Sequence, residues 1–149
     1  PDLTTVKYST VPPTTGEHFP APEFPNRQFY TADDRPPMEN LVHNLEHGYS
    51  VLWYDDTLST EQVSQLKAIS REANQTTEAQ QKFVVSAWDP AYGAFPAGKH
   101  VAVSHWSADA KDLKKQSGHR LLCGSVSGEA VQSFIKKYPR TSAPEPNGQ

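Results

Sequence analysis

The sequence has little of what marks several large classes of protein. Among its 149 residues there is one cysteine, Cys123, which excludes an internal disulfide, a cysteine-rich zinc site and a two-cysteine redox motif. No apolar run approaches the roughly 18 residues that suggest a membrane span. The formal net charge of −3 gives no broad basic surface, which argues against nucleic acid as a partner. There is also no phosphate-binding glycine loop and no dinucleotide fingerprint.

Proline is unevenly distributed, with eight of the 13 prolines falling within residues 1–37. Proline removes backbone donors and blocks helices and central strands, so this stretch predicts extended and turn structure. The same stretch is rich in aromatic residues, which a solvated linker rarely carries. We therefore predict a proline-rich arm, residues 1–40, packed across a domain formed by residues 41–140, followed by a polar tail at 141–149. The aromatic residues are Tyr8, Phe19, Phe24, Phe29 and Tyr30.

Local patterns predict the secondary structure of the domain. Ser59 and Gln62 form a capping box for one helix, and Ser127 caps a later helix that Pro139 ends. This order predicts an α+β fold, a ferredoxin-like variant in which two main helices cover one face of a small antiparallel or mixed sheet. The predicted elements are a short helix over 36–48, strands over 49–54, 82–88, 99–106 and 119–124, and helices over 59–73 and 127–138.

Two histidine motifs are the most distinctive features of the sequence. On the short helix, His43 and His47 share a face one turn apart, with Glu46 beside the second. A stiff Pro-Pro turn presents His18 upstream. We predict that His18, His43 and His47 bind copper or zinc, and that Glu46 orients an imidazole from outside the ligand set. Met38 is an additional candidate ligand whose thioether would favour copper, although its place in an apolar stripe predicts core packing.

Two other interpretations of the same motif stay open. The string from His43 to His47 matches the H-x-x-E-H pattern of zinc hydrolases, which take a third, acidic ligand from a later helix. Glu129, near the start of the last predicted helix, is the candidate for that ligand. In the second interpretation the histidines hydrogen-bond to the backbone of the arm, so that they are structural. The protein would then be a non-catalytic interaction module with a protein partner at the membrane or cell surface.

The remaining reactive side chains lack a clear context in the sequence. His105 aligns with Val101 and Val103 on one face of a strand, which predicts a buried core histidine rather than a ligand. His119 has no evident partner. Cys123 lies in an apolar stretch, where a lone thiol usually behaves as a small buried hydrophobic residue. No catalytic residue is predicted from these positions.

The sequence contains Pro12-Pro13-Thr14-Thr15-Gly16-Glu17-His18, then His43-Asn44-Leu45-Glu46-His47-Gly48, and finally Cys123 with Phe134, Tyr138 and Pro144-Glu145-Pro146. Together these three motifs resemble a family of bacterial proteins catalogued as a domain of unknown function and frequent in actinobacteria. Members typically carry Pro-Pro-Thr-Ser-Gly-x-His and His-x-Leu-Glu-His-Gly behind an N-terminal membrane anchor, and Thr15 here replaces the usual serine. The resemblance implies an exported, outward-facing domain, and it carries over His18, His43, Glu46 and His47 as motif positions without an established reaction.

Overall fold

The structure is a computed structural model that describes residues 6–149. It is an α+β fold with a five-stranded mixed sheet and three α-helices. No helix in this part of the chain is long and apolar enough to cross a membrane. In chain order the elements are β1 (Phe29–Tyr30), α1 (Met38–Glu46), β2 (Ser50–Tyr54), α2 (Thr60–Asn74), β3 (Phe83–Ala87), β4 (Val101–Ala108), β5 (Gln116–Cys123) and α3 (Gly128–Lys137).

The helix boundaries follow the capping signals in the sequence. At the start of α2, Ser59 Oγ accepts from the backbone N–H of Gln62 at 3.1 Å, and the Gln62 side chain accepts from the backbone N–H of Ser59 at 2.8 Å, which confirms the capping box. Ser127 Oγ caps α3 by accepting from Ala130 N–H at 3.2 Å. Helix α1 ends at Glu46, and Gly48 follows with φ = 101°, a conformation that other residues rarely adopt.

The strand order in the sheet is β1-β3-β2-β4-β5. Strands β2 and β3 are direct neighbours and parallel, and α2 is the crossover that joins them. Strand β4 is antiparallel to both β2 and β5. In a ferredoxin-like sheet the parallel strands of each βαβ unit are separated by another strand. The ferredoxin-like arrangement is therefore not confirmed, because nothing lies between β2 and β3.

Helices pack on both faces of the sheet, whereas the expectation from the sequence was one covered face. Leu52 and Tyr54 belong to the apolar core beneath α2 and α3, while Val51 and Trp53 belong to the core beneath α1. Every residue of β2 and β3 is buried. Continuous apolar runs such as Val51–Tyr54 are typical of strands buried on both faces, which agrees with helices on both sides of this sheet.

The residues before α1 pack against the domain through polar contacts as well as apolar ones. Strand β1 lies inside this stretch, where no regular structure was predicted, and pairs in parallel with β3. Glu23 N–H donates to Asn44 Oδ1 at 2.8 Å, and Arg120 Nη1 donates to the Val11 carbonyl at 2.8 Å. Tyr8 packs against the core beneath α1. The first five residues of the predicted arm lie outside the described residues.

The segment 143–149 also packs on the domain, although the sequence suggested only a polar tail. Ala143 is buried, and the backbone N–H of Glu145 donates to the Glu46 carbonyl at 2.9 Å. Lys82, directly before β3, donates from Nζ to the carbonyls of Pro146 and Gly148 at 2.9 and 2.7 Å. The segment is therefore held against the end of α1, where the predicted histidines lie.

Candidate metal centre

The end of α1 positions three of the predicted functional side chains. His43 and Glu46 lie in its last turn, and His47 is the C-cap residue directly after it. The side chains of His43 and His47 are 11% and 12% exposed, so both imidazoles lie just beneath the surface. The positive φ of Gly48 turns the chain away immediately after them. Helix termination thus places two imidazoles and a carboxylate within one turn.

Five side chains meet at this point, and we call them the histidine–glutamate cluster: His18, His43, Glu46, His47 and Glu145. The three imidazole rings point their Nε2 atoms into the cluster, where these atoms meet one another and the two carboxylates. His43 Nε2 lies 3.2 Å from His47 Nε2, and His18 Nε2 lies 3.1 Å from Glu46 Oε2. Glu46 Oε2 is 3.9 Å from His43 Nε2, and Glu145 Oε2 is 3.2 Å from His47 Nε2. The structure therefore brings together all three predicted histidines.

Each histidine of the cluster uses its other ring nitrogen, Nδ1, to bind a backbone carbonyl. A carbonyl oxygen only accepts hydrogen bonds, so Nδ1 must carry the proton in all three rings. In the neutral form each Nε2 then presents an unprotonated lone pair to the cluster. The acceptors are the backbone oxygens of Gly16 for His18 (2.9 Å), Phe19 for His43 (2.7 Å) and Gln149 for His47 (2.9 Å).

This protonation pattern brings two unprotonated nitrogens of His43 and His47 face to face. Two neutral imidazoles with Nε2 lone pairs 3.2 Å apart repel each other, because neither can donate to its neighbour. Either one ring takes up a second proton, or a metal ion binds both lone pairs. The carboxylates of Glu46 and Glu145 stand beside these nitrogens and can balance the added positive charge.

The contacts between neighbouring donor atoms have about the length found between two ligands of one transition-metal ion. With metal–ligand bonds of about 2.0–2.1 Å, the ligand atoms of a tetrahedral site lie about 3.3 Å apart. Three of the four contacts measure 3.1–3.2 Å, and only that between His43 and Glu46 is longer, at 3.9 Å. Two overlapping triads have all donor atoms within 4.8 Å of one another: His18, His43 and Glu46, and Glu46, His47 and Glu145.

The geometry refines the roles expected from the sequence. The Glu46 carboxylate was expected to orient an imidazole from outside, yet it lies on the Nε2 side of His18 and His43, among the donor atoms. Met38 is 1% exposed and packs in the apolar core beneath α1, as its stripe predicted. Sequence reasoning missed Glu145 as a cluster member, although Pro144-Glu145-Pro146 was one of the motifs that carried the family resemblance.

Glu129, on a later helix, does not supply the third, acidic ligand that the H-x-x-E-H pattern of zinc hydrolases requires. Enzymes of that type bind zinc from one helix and complete the site with an acidic residue on a later one. Here the later helix with Glu129 is α3, which packs on the opposite face of the sheet from α1. Glu129 is therefore separated from His43 and His47 by the sheet, whereas Glu145 Oε2 lies 3.2 Å from His47 Nε2.

The other reactive side chains lie outside the cluster. His105 is completely buried, and burial lowers its pKa to about 4, with a smaller contribution from His119. His119 stacks on Tyr138, and its pKa is lowered by burial and by Lys137. Burial raises the pKa of the Cys123 thiol, which disfavours the reactive thiolate. These environments are those of structural side chains.

Comparison with known proteins gives one match. The family model described as "Protein of unknown function (DUF3105)" matches residues 2–149, a range that includes every member of the histidine–glutamate cluster. No curated protein and no solved structure matches the chain significantly. The chemical argument therefore depends on the cluster itself.

Proposed function

The chain belongs to the DUF3105 family of proteins of unknown function, and we propose that it is a metal-binding protein. One observation carries the proposal: the Nε2 lone pairs of His43 and His47 face each other at 3.2 Å while both Nδ1 atoms are committed to carbonyls. A divalent ion would satisfy both lone pairs at once. The Glu46 carboxylate beside them would neutralise part of its charge.

Zinc and copper are the two ions that fit this donor set. Both accept imidazole nitrogen and carboxylate oxygen, whereas calcium and magnesium prefer sites made only of oxygen. Copper would gain from a nearby thioether, but Met38 packs in the apolar core. We therefore propose an ion held by His18, His43, His47 and Glu46, with no sulfur ligand and no built-in preference for copper.

The carbonyl partners of the histidines fit such a site. When an imidazole binds metal through Nε2, a hydrogen bond from Nδ1–H to a carbonyl fixes the tautomer and raises the basicity of the ligand. All three rings have this bond. The site is thus pre-oriented by backbone groups, and ligand binding would require little rearrangement of the rings.

Metal analysis tests the proposal directly. The purified protein is incubated with zinc or copper, freed of unbound ion, and analysed for metal per chain. We expect one ion in the parent protein and a substoichiometric amount in the His43→Ala/His47→Ala double variant. His100→Ala is the matched control, since His100 pairs with Asp55 at 2.7 Å outside the cluster. Equal, substoichiometric metal in all three proteins would contradict the proposal.

A second candidate function is a non-catalytic interaction module in which the histidines are structural. It is favoured by the carbonyl contacts of His43 and His47, which join α1 to the segments around Phe19 and Gln149. The contact of His18 with Glu46 adds a further connection to α1. In that case the double variant loses thermal stability equally with and without metal. Thermal unfolding in zinc and in chelator distinguishes the two functions.

We also propose that the protein is exported and anchored to the membrane with the cluster facing outward. This proposal rests only on the resemblance in the histidine motifs described from the sequence. Protease treatment of intact native cells tests it, with a cytoplasmic protein as internal control. Digestion of the protein while the control survives is the expected result, and equal protection of both would contradict it.

A further inference from the structure

We infer that the segment 143–149 is part of the metal site: Glu145 supplies a carboxylate ligand, and Lys82 is the positioning residue that holds this ligand in place. The inference rests on the proposed function, because it names a further ligand of the same ion. It goes beyond the histidine motifs, in which neither residue takes part.

Glu145 reaches the cluster at ligand distance. Its Oε2 atom lies 3.2 Å from His47 Nε2, so an ion bound to that nitrogen is within reach of this carboxylate. Its backbone N–H donates to the Glu46 carbonyl at 2.9 Å, so main chain and side chain both face the end of α1. Glu46, His47 and Glu145 form one of the two triads that could hold an ion.

Lys82 connects the segment to the histidine-bearing end of α1. Its Nζ atom donates to three backbone carbonyls: His47 at 2.7 Å, Pro146 at 2.9 Å and Gly148 at 2.7 Å. An ammonium group has three donors, and these three acceptors use all of them. The Lys82 side chain therefore binds the backbone of His47, which carries an imidazole ligand, and the backbone of two residues that follow Glu145, Pro146 and Gly148.

The surroundings of the Lys82 ammonium suit hydrogen bonding to backbone carbonyls rather than to water. Lys82 directly precedes β3, an internal strand of the sheet, and its carbonyl accepts from the Ser50 N–H at 3.1 Å, which fixes its backbone. Burial lowers the pKa of its ammonium, with a smaller contribution from Arg140. Burying a charge is costly unless hydrogen bonds compensate for it, and the three carbonyls provide that compensation. Removing the ammonium would leave three carbonyls without their donor beside the ion.

Gly148 shows how closely the segment fits over His47. A Cβ atom at this position would lie 2.5 Å from the His47 ring, so no larger residue fits without displacing the ring or the segment. The segment therefore covers one side of the imidazole. The Glu145 side chain is 60% exposed, so the ligand that it supplies stands on the solvent side of the cluster.

The experiment compares zinc affinity in the parent protein, Glu145→Gln, Lys82→Met, Lys82→Arg and the control Lys99→Met. Groups that position a metal ligand change affinity by about 10–100-fold when they are removed. We expect a loss of that size in Glu145→Gln and Lys82→Met, partial recovery in Lys82→Arg, and no change in Lys99→Met. Circular dichroism verifies that each variant is folded.

Hydrogen exchange gives a measurement that a merely structural role would not change. Zinc should slow amide exchange across 143–149 in the parent protein and leave it unaffected in Glu145→Gln, whose exposed side chain can be replaced without loss of fold. If the parent binds zinc but Glu145→Gln and Lys82→Met bind it equally well, this inference is wrong and the proposed function stands. If the parent binds no metal, both are wrong.

Discussion

His105 in β4 and Ser142 beyond α3 share a partly buried hydrogen bond, with 2.9 Å between Nε2 and Oγ. Ser142 donates its own proton to the Pro139 carbonyl at 2.7 Å, so its oxygen accepts from His105 Nε2–H. On the other side of the ring, Ser50 Oγ lies 3.1 Å from Nδ1 and donates to it. Both ring nitrogens are thus satisfied in the neutral form.

The neutral state of His105 predicts a pH dependence of stability. Folded His105 takes up a proton only near pH 4, whereas the unfolded residue does so near pH 6.5. Between these values the unfolded chain binds more protons, so the free energy of unfolding rises with pH. The contribution is fully present above about pH 6.5 and declines by about 3 kcal/mol as the pH falls to 4. Urea unfolding at several pH values measures it.

His105→Gln is the comparison for this prediction, since glutamine keeps hydrogen-bonding groups but does not titrate. The variant should show a smaller slope of stability with pH between 4 and 6.5, whatever its absolute stability. An unchanged slope would mean that other groups, His119 among them, account for the acid sensitivity.

Zinc should stabilise the folded protein. An ion that binds only the folded state adds about 2.7 kcal/mol when its free concentration is 100 times Kd. For a chain of this length such a gain corresponds to a rise in Tm of about 5–10 °C. Differential scanning fluorimetry with zinc and then with excess chelator measures the rise and its reversal. The His43→Ala/His47→Ala variant should show neither, and an equal rise there would place the ion elsewhere.

Glu46→Gln should weaken zinc binding by at least about tenfold, because it removes a negative charge shared by both candidate triads. The change keeps the size of the side chain, so packing at the end of α1 is little affected. Isothermal titration with zinc gives the affinity. Glu61→Gln, in the first turn of α2, is the matched control and should bind like the parent. Parent-like affinity in Glu46→Gln would leave the carboxylate outside the ligand set.

Gly48→Ala should destabilise the fold by more than about 3 kcal/mol. Its φ of 101° is unfavourable for alanine, and a Cβ atom would lie 2.6 Å from the Arg140 carbonyl oxygen. Gly98→Ala separates the two causes, because Gly98 also has positive φ but no atom within 4 Å of the added carbon. It should cost about 1 kcal/mol. If urea unfolding shows the same loss of unfolding free energy in both variants, the contact with Arg140 does not contribute to the effect of Gly48→Ala.

Elements with strong local signals could be predicted from the sequence. The capping box at Ser59, the cap at Ser127 and the glycine after α1 each act within a few residues, and each appears where expected. The coarse α+β class followed from the order of these elements. The buried state of His105 followed from its alignment with Val101 and Val103 on the face beneath α2 and α3.

Features that depend on contacts between distant residues could not be predicted in the same way. Strand β1 has only two residues, and it is a strand because Phe29 and Tyr30 lie beside β3. The motifs of His18 and His47 suggested a shared site, but nothing local connects Glu145 or Lys82 to them. Their roles arise from the path of the segment 143–149 over the end of α1.

The histidine–glutamate cluster has a consequence for the order of folding. Its members come from segments far apart in the sequence, with His18 before the first strand and Glu145 after the last helix. Contacts of this kind form late, since chain closure over a long loop is entropically unfavourable until local structure exists. The antiparallel pair β4 and β5 can form early, whereas the cluster assembles only when both flanking segments have docked. An ion would bind there only after this last step of folding, and it would stabilise the fully docked state.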